Sequence, residues 1–460
     1  MQCCMVTAVL ETTLRSECLG GTVTAPASPV AEPVTGRRLR VLMLSEACNP
    51  EWPSLPIVAY NQTRALAEHA DVVVATQIRN KPVLDKWGVG KAEVVYLDTE
   101  YVASPFYKLS KVIRRSEQYM QTAAVALAWP AQVAFEWEVW KRFGRDLKAG
   151  AFDVVQRLTP MSPTLPSPLA RFSPVPFVLG PINGALAWPP GFEKELHRER
   201  EYLRYVRDAY RVLPFYRSTY ARSSAILAAF EHTIVDLPAR ARARCIDFPE
   251  VGIDPEVFQW PGDRPERERL TFLYAGRLVA YKCPDVVLEA FAQSPILRQH
   301  RLVIVGGGPE QERLEAYAKA HGLDGVVEIL GQQPQREVGR LMREADVFAF
   351  PSIRELGAGV VIEAMACGCV PVVANYGGPA TLVTPETGCR VPMGSKADLV
   401  QAMRAEMEAL TRDRPRLRSM ARASYERAIG KYSWDVKARK LIEVYEWVLG
   451  KRATAPSFEA

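Results

Sequence analysis

The sequence predicts two doubly wound α/β domains that face each other across a cleft. Two sets of short apolar segments, separated by a proline-rich connection, alternate with segments of helical length. Continuous apolar runs of this kind are typical of strands buried on both faces of a parallel sheet. The length of 460 residues also favours two domains of about 200 residues over a single core. Ligands of such sheets bind beyond the carboxyl ends of the strands, so a site in the cleft is expected.

The first half of the chain predicts repeated β-α units around a parallel sheet. Its first ordered segment begins at Leu39 and contains the run R-V-L-M-L-S-E. Further short strands alternate with helix-length segments, as such units require. We assign the N-terminal domain to residues 37–250, with further strands at 71–76, 93–97, 152–158, 176–180 and 225–229.

A second set of strands follows a connection between the domains. Residues 249–269 contain four prolines and several charges but little apolar periodicity. We assign 251–268 to the linker, 269–430 to the C-terminal domain, and 431–460 to a helix that packs back across the domains. The strands predicted in the C-terminal domain are 270–276, 301–306, 326–331, 346–350 and 370–374.

The composition indicates a globular protein in a reducing compartment. Hydrophobic residues make up 48% and charged residues 24%, which excludes a collagen-like or largely disordered chain. Nine cysteines without C-x-x-C spacing favour the cytoplasm. Cys367 and Cys369 are expected to pack in the core. The net charge of +6 is small for this length and selects no class of partner.

The N-terminal tail, residues 1–36, is predicted to be flexible. Glu11, Arg15 and Glu17 interrupt its apolar residues, so it does not resemble a signal peptide. Its later part is rich in Pro, Ala and Thr, a composition that does not form a packed core.

The stretch at 107–148 is predicted to be largely helical, with an interruption at Pro130. A basic amphipathic face beside aromatic residues can lie on an anionic membrane. A helix that covers the sheet with its charges outward explains the same pattern, and we favour that interpretation; 119–137 is too polar to span a bilayer. The basic residues and tryptophans are Lys108, Lys111, Arg114, Arg115, Trp129, Trp137 and Trp140.

Two cations follow the first strand of the second half. The segment G-R-L-V-A-Y-K places Arg277 and Lys282 just past the strand end. Fixed cations at this edge can hold a diphosphate and neutralise charge as it leaves. A purely structural role for both side chains is an equal alternative.

A run of glycines follows the next strand. The segment V-I-V-G-G-G-P places Gly306, Gly307 and Gly308 before a helix that begins near Glu310. Glycines at such a junction let backbone amides approach a phosphate or a sugar closely. The spacing lacks the full G-x-G-x-x-G pattern of a dinucleotide site.

Two glutamates follow the strand that ends at Phe350. Glu355 lies in a glycine-containing loop, and Glu363 lies in the first turns of the helix that begins around Gly359. Carboxylates at these places can accept hydrogen bonds from hydroxyl groups. The amides near Gly359 and Val360 can point at a diphosphate between them.

Seven residues separate Glu355 from Glu363. With this glutamate pair, residues 270–393 resemble the donor domain of family 4 of the retaining glycosyltransferases, the group 1 glycosyltransferases. The resemblance implies the GT-B fold and transfer of a hexosyl-type sugar from a nucleotide-diphosphate sugar to an acceptor hydroxyl with retention, in glycan, polysaccharide or glycolipid biosynthesis. By position, Glu355 would be the catalytic residue on the donor sugar, Glu363 would bind the ribose, and Arg277 and Lys282 would bind the diphosphate. The remaining donor-binding positions are Gly306, Gly307, Gly359 and Val360.

The first half resembles the family less closely, chiefly in its strand order and in G-P-I-N-G at 180–184. Many relatives carry a glycine pair in the loop after the first strand, a histidine at the end of the fourth strand, and an acidic residue after a later glycine pair. The residues of this chain at those places are Pro53 and Pro56, Gln156 and Arg157, and Pro379, Ala380 and Thr381.

The expected ligands follow from the resemblance. No D-x-D motif occurs, so we expect no metal and no cofactor, with Arg277, Lys282 and helix amides in the role of a cation. The expected partners are a nucleotide-sugar donor, a sugar, glycan or lipid-linked acceptor, and peripheral contact with an anionic membrane, but not nucleic acid. Two alternatives stay open: a sugar-nucleotide epimerase or phosphorylase of the same fold, and a non-catalytic binding or scaffold protein.

Overall fold

The protein forms two α/β domains, each built on a parallel sheet, as the sequence predicts. The predicted tail and the basic residues of 108–115 lie outside the part of the chain that the structure describes. The computed structural model describes residues 37–52, 54–105, 121–198, 210–262 and 266–458.

The N-terminal sheet contains seven parallel strands in the order β3-β2-β1-β4-β5-β6-β7. Alternate residues of its first strand, such as Val41 and Leu42, belong to two different core clusters. Both faces of the sheet are therefore covered, which explains the continuous apolar runs. The strands are β1 Arg40–Leu44, β2 Asp71–Gln77, β3 Glu93–Leu97, β4 Val154–Arg157, β5 Phe177–Ile182, β6 Ala225–Ala228 and β7 Cys245–Ile246.

The C-terminal sheet contains six parallel strands in the order β10-β9-β8-β11-β12-β13. The predicted core positions Cys367 and Cys369 are fully buried beside it, which confirms that interpretation. The strands are β8 Thr271–Ala275, β9 Arg301–Val305, β10 Val327–Ile329, β11 Val347–Phe350, β12 Val370–Ala374 and β13 Cys389–Val391.

Helices connect the strands and cover the sheets. The helices of the first half are α1 Leu55–Leu66, α2 Lys81–Trp87, α3 Gln121–Lys148, α4 Leu169–Phe172, α5 Glu193–Arg198, α6 Tyr216–Arg222, α7 Glu231–Asp236 and α8 Ala239–Arg242. Those of the second half are α9 Pro284–Gln293, α10 Gln311–Ala320, α11 Gln335–Glu344, α12 Gly359–Ala366, α13 Gly377–Leu382, α14 Lys396–Arg412, α15 Arg414–Tyr432 and α16 Trp434–Val448.

Helix α3 corrects one expectation, because it continues through Pro130 without a break. Proline removes one backbone hydrogen bond from a helix. Phe135, Val139 and Phe143 recur at helical spacing on the buried face and pack against the sheet, and their burial offsets that loss. None of the helices in the described ranges combines the length and the apolarity that crossing a membrane requires.

The last helix, α16, belongs by sequence to the C-terminal half but packs against α1 of the N-terminal domain. The hydroxyl of Tyr445 on α16 donates a hydrogen bond to Oε1 of Gln156 at the end of β4. Nζ of Lys437, also on α16, donates to the carbonyl oxygen of Pro249 in the connection between the domains. This helix therefore ties the connection to the N-terminal domain.

Candidate active site

A cleft of about 2240 Å³ separates the two domains. Loops that follow strands of both sheets form its walls, the location expected for doubly wound domains. Lys282 lies beside the wall, in contact with one of the lining residues, Glu355. The other predicted site residues also line the cleft: Arg277, Gly306, Gly307, Gly359, Val360 and Glu363.

Lys282 and Glu355 form an ion pair at the edge of the cleft. Nζ of Lys282 lies 2.6 Å from Oε2 of Glu355, and the two side chains are only 11% and 20% exposed. The same ammonium group lies 5.4 Å from the ring centre of Phe350, the last residue of β11. Partial burial strengthens the attraction relative to a surface pair. The pair therefore orients the Glu355 carboxylate before any ligand is bound.

Arg277 is exposed at the mouth of the cleft, where Tyr281 holds it. Its Nη2 donates a hydrogen bond of 2.5 Å to the hydroxyl of Tyr281, and both residues line the cleft. The guanidinium group is a permanent cation with several donors in one plane. It therefore adds a fixed positive charge to the wall that carries Glu355.

The glycines after β9 allow two loops to touch. A Cβ atom at Gly306 would lie 1.8 Å from the carbonyl oxygen of Gly276, and one at Gly308 would lie 2.3 Å from that of Leu278. The amide of Gly306 donates to the carbonyl of Gly331 at 2.8 Å, so it is engaged within the protein. Gly306 therefore determines the shape of the wall. Gly307 has more space around it, because a Cβ atom there would have no neighbour closer than 3.6 Å.

A second pair of glycines holds the loop of Glu355. The amide of Gly378 donates to the carbonyl oxygen of Glu355 at 2.9 Å. A Cβ atom at Gly378 would lie 1.9 Å from the carbonyl oxygen of Leu356, and Gly377 has φ 61°. Only glycine fits at this approach. The pair therefore supports the glutamate loop from behind.

The first turn of α12 and Glu363 form the next part of the wall. Ala358 takes a left-handed conformation with φ 48° and turns the chain into the helix, so that Gly359 and Val360 line the cleft. Burial raises the pKa of the Glu363 carboxyl to about 7, although a hydrogen bond with the Gln335 side chain acts in the opposite direction. This carboxyl group is shielded from water in the free protein, so it can exchange hydrogen bonds with a ligand instead.

Two buried polar residues of the cleft, Asn183 and Glu250, were not predicted from the sequence. Asn183 follows β5 in the G-P-I-N-G segment, and its Nδ2 donates to Oε1 of Glu250 in the connection between the domains. Both side chains line the cleft and are less than 10% exposed. The G-P-I-N-G segment was a signal for Asn183, but no local pattern distinguishes Glu250 within a charged, proline-rich connection.

The residues that replace the family's histidine have structural roles. Gln156 donates to the carbonyl oxygen of Gly180 at 2.7 Å, and Arg157 donates to the carbonyl oxygens of Ser162 and Leu165. Both side chains are almost fully buried, and neither belongs to the cleft wall. The N-terminal domain therefore contributes other groups to the cleft, including Asn183.

The loop after β1 also differs from the pattern of relatives. Pro56 lies in the first turn of α1, where proline fits well. Ser54 lines the cleft with φ 73°, a conformation that favours glycine. Pro53 lies outside the described residues.

Residues 259–427 match the family model of the glycosyl transferases group 1. This segment contains Glu355, Glu363, Arg277 and Lys282.

Curated relatives match slightly less than half of the chain. A D-inositol 3-phosphate glycosyltransferase from Stackebrandtia nassauensis is 31% identical over 224 residues, which cover 45% of this chain and 49% of that protein. A protein of the same name from Mycobacterium tuberculosis is 32% identical over 225 residues, covering 45% and 44%. The chain thus spans about half the length of the curated relatives it matches.

Solved structures extend the likeness to both domains. HepE from Anabaena, in complex with UDP, superposes with a TM-score of 0.59 at 16% identity, covering 88% of this chain and 99% of that one. Sucrose-phosphate synthase from Thermosynechococcus elongatus has a TM-score of 0.58 at 17% identity, covering 90% and 100%. At these identities the likeness concerns the fold. The protein has the GT-B fold, which confirms the predicted fold class.

Proposed function

We propose that this chain is a retaining glycosyltransferase that moves a hexosyl-type sugar from a nucleotide-diphosphate sugar to an acceptor hydroxyl. The observation that carries the proposal is the cleft wall of Glu355 and Glu363, with Lys282 paired to Glu355 beside it, within the segment that matches the group 1 glycosyltransferases. The names of the curated relatives, and the UDP bound to HepE, support this class of reaction. The proposed acceptor is a sugar, a glycan or a lipid-linked acceptor.

In the proposed reaction, these residues have three different roles. Arg277 and Lys282 bind the diphosphate and neutralise the charge that develops when it leaves. Glu355 supports positive character at the anomeric carbon, and Glu363 accepts hydrogen bonds from the ribose. A phosphate oxygen of the leaving group takes the proton of the incoming hydroxyl on the same face of the sugar, so the configuration is retained.

A screen of nucleotide sugars tests this function. UDP-glucose, GDP-mannose and related donors are added to the purified protein, and unfolding temperatures are recorded. A donor present at a hundred times its Kd stabilises the protein by about 2.7 kcal/mol. Slow release of free sugar from the stabilising donor, in the α configuration by NMR when the donor is α-linked, supports retaining transfer. Binding without any hydrolysis or transfer would instead favour the scaffold alternative.

Donor binding and turnover should not require a divalent metal, because Arg277 and Lys282 are the proposed cations for the diphosphate. No cluster of three or more His, Cys, Asp or Glu side chains suited to a metal occurs within the described ranges. We expect the Kd of the donor and the rate of turnover to stay the same with EDTA as with magnesium or manganese. Loss of both in EDTA, and their return on adding metal, would contradict the assignment.

Glu363→Gln should stabilise the free protein at high pH and weaken donor binding. The pKa of the Glu363 carboxyl is about 7 in the folded protein, above its usual value of 4.5. The folded protein therefore favours the protonated carboxyl. The resulting stabilisation is complete below about pH 4.5 and is lost as the pH rises through 7. The variant should therefore unfold at a temperature about 2–4 °C higher than the wild type at pH 8, and at the same temperature at pH 4.5. Calorimetry at both pH values checks this, and a variant less stable at pH 8 would contradict it.

We also propose that the enzyme is cytoplasmic, and we test peripheral contact with the anionic inner face of the membrane as the alternative to the favoured covering helix. The cysteines described are free thiols, and most of them are buried, which suits a reducing compartment. The basic stretch at 108–115 is the proposed contact. Liposome binding that persists after neutralising its four basic residues would exclude that stretch as the contact.

A further inference from the structure

We propose that Asn183 and Glu250 form a second hydroxyl-binding subsite, which holds the transferred sugar beside the loop that carries Glu355. The inference rests on the proposed function and assigns residues to the sugar part of the donor. It concerns two side chains that join the N-terminal domain to the connection between the domains.

The position of the pair places it next to the glutamate loop. Oε1 of Glu250 lies so close to Gly357 that a Cβ atom on that glycine would be 2.2 Å from it. Gly357 is two residues from Glu355, in the same loop. The Glu250 carboxylate therefore lies against the backbone of the loop that carries the proposed catalytic residue.

Each member of the pair keeps one acceptor atom without a protein partner. Among the described residues, none donates a hydrogen bond to Oε2 of Glu250 or to Oδ1 of Asn183, and each atom is buried. The side chains are only 4% and 8% exposed, yet both line the cleft. Buried acceptors without partners destabilise a protein, and a carboxylate does so more than an amide.

The chemistry of the two atoms selects the ligand. Both are oxygen acceptors, so the complementary group must supply hydrogen-bond donors. Burial raises the pKa of the Glu250 carboxyl, and the nearby Glu355 carboxylate adds to this effect, whereas the hydrogen bond from the Asn183 amide and the Lys437 ammonium lower it. A phosphate would add negative charge beside two carboxylates, which Coulomb repulsion disfavours. A pair of sugar hydroxyls satisfies both atoms without adding charge.

Glu250→Gln tests the subsite, because it keeps the shape of the side chain and removes its charge. The measured quantity is the affinity gained from the sugar, expressed as the Kd of UDP divided by the Kd of UDP-glucose. GDP and GDP-mannose form a parallel pair. We expect this ratio to fall by about 10-fold to 100-fold, as for the loss of charge-assisted hydrogen bonds, with the Kd of the free nucleoside diphosphate unchanged. Hydrolysis of the donor without acceptor should fall in kcat/KM by a similar factor.

Two further variants separate ligand binding from structure. Asn183→Ala removes the second acceptor and should lower the same ratio by a smaller factor. Glu136→Gln is the matched control: this carboxyl is also buried, accepts hydrogen bonds from Ser167 and Leu169, and is absent from the cleft wall. It should leave the ratio unchanged. Without ligand, Glu250→Gln should unfold at the wild-type temperature or above, because it removes a buried charge.

Several outcomes would overturn the inference while leaving the proposed function intact. One is an unchanged ratio in Glu250→Gln. Another is an equal loss of affinity for UDP and for UDP-glucose, which would indicate that the pair acts in domain closure. A third is a rise in the KM of the acceptor with normal donor hydrolysis, which would place the pair in the acceptor site. If the wild type binds no donor in the nucleotide-sugar screen, the proposed function itself fails and the subsite with it.

Discussion

Glu355→Gln should lower kcat by about 100-fold while the KM of the donor changes little. The substitution keeps the size of the side chain and removes the negative charge that supports positive character at the anomeric carbon. In the free protein this charge is already oriented by Lys282, at 2.6 Å. Such preorganised charge acts mainly in the transition state, where the sugar becomes positive. Steady-state kinetics and the Kd of the nucleoside diphosphate measure the two parts of the prediction.

Glu363→Gln is the matched control for this experiment. It makes the same chemical change on the same wall, but the ribose contact is made equally in the ground state and the transition state. Its effect should therefore appear in the donor KM, and free nucleoside diphosphate should bind it weakly. If both variants lost kcat and KM in the same proportions, the division of roles would be wrong. A fully active Glu355→Gln enzyme would remove that residue from the catalytic site.

Lys282→Ala should raise the Kd of the nucleoside diphosphate by about 10-fold to 100-fold and should also lower kcat. The first effect is the loss of a charge-assisted contact with the diphosphate. The second follows from the structure, because removing the ammonium group leaves Glu355 without its ion-pair partner. Binding of the nucleoside, which has no phosphate, should change little. Isothermal titration with the nucleoside and the nucleoside diphosphate measures the difference.

A double-mutant cycle separates the two effects of Lys282. If this residue acts on catalysis through Glu355, the kcat losses of Lys282→Ala and Glu355→Gln should not add in the double variant. Lys396→Ala is a control for the loss of a partly buried ion pair, since its Nζ contacts Asp285 at 2.5 Å and neither residue lines the cleft. It should leave the Kd of the nucleoside diphosphate unchanged. Fully additive losses, or equal losses for nucleoside and nucleoside diphosphate, would place Lys282 away from this role.

The fold class and one wall of the cleft could be predicted from the sequence. A strand buried on both faces needs a continuous apolar run, so segments such as β8 and β11 are visible in the local pattern. Residues that follow parallel strands meet at one edge of the sheet, which explains why Arg277, Glu355 and Glu363 share a wall. The two-residue strand β7 and the three-residue strand β13 were missed, because such short segments carry little periodicity. The predicted break at Pro130 was wrong because the burial of one helix face outweighs one lost hydrogen bond.

The tertiary structure alone decided which side chains contact one another at the cleft. The sequence predicts that Lys282 binds phosphate, but only the packing of two loops shows that it also pairs with Glu355. Asn183 and Glu250 come from different segments, and no spacing in the sequence relates them. Local periodicity records which face of a strand or helix is buried. Contacts between distant segments depend on the path of the connection and on the orientation of the two domains, which are set by packing over the whole molecule.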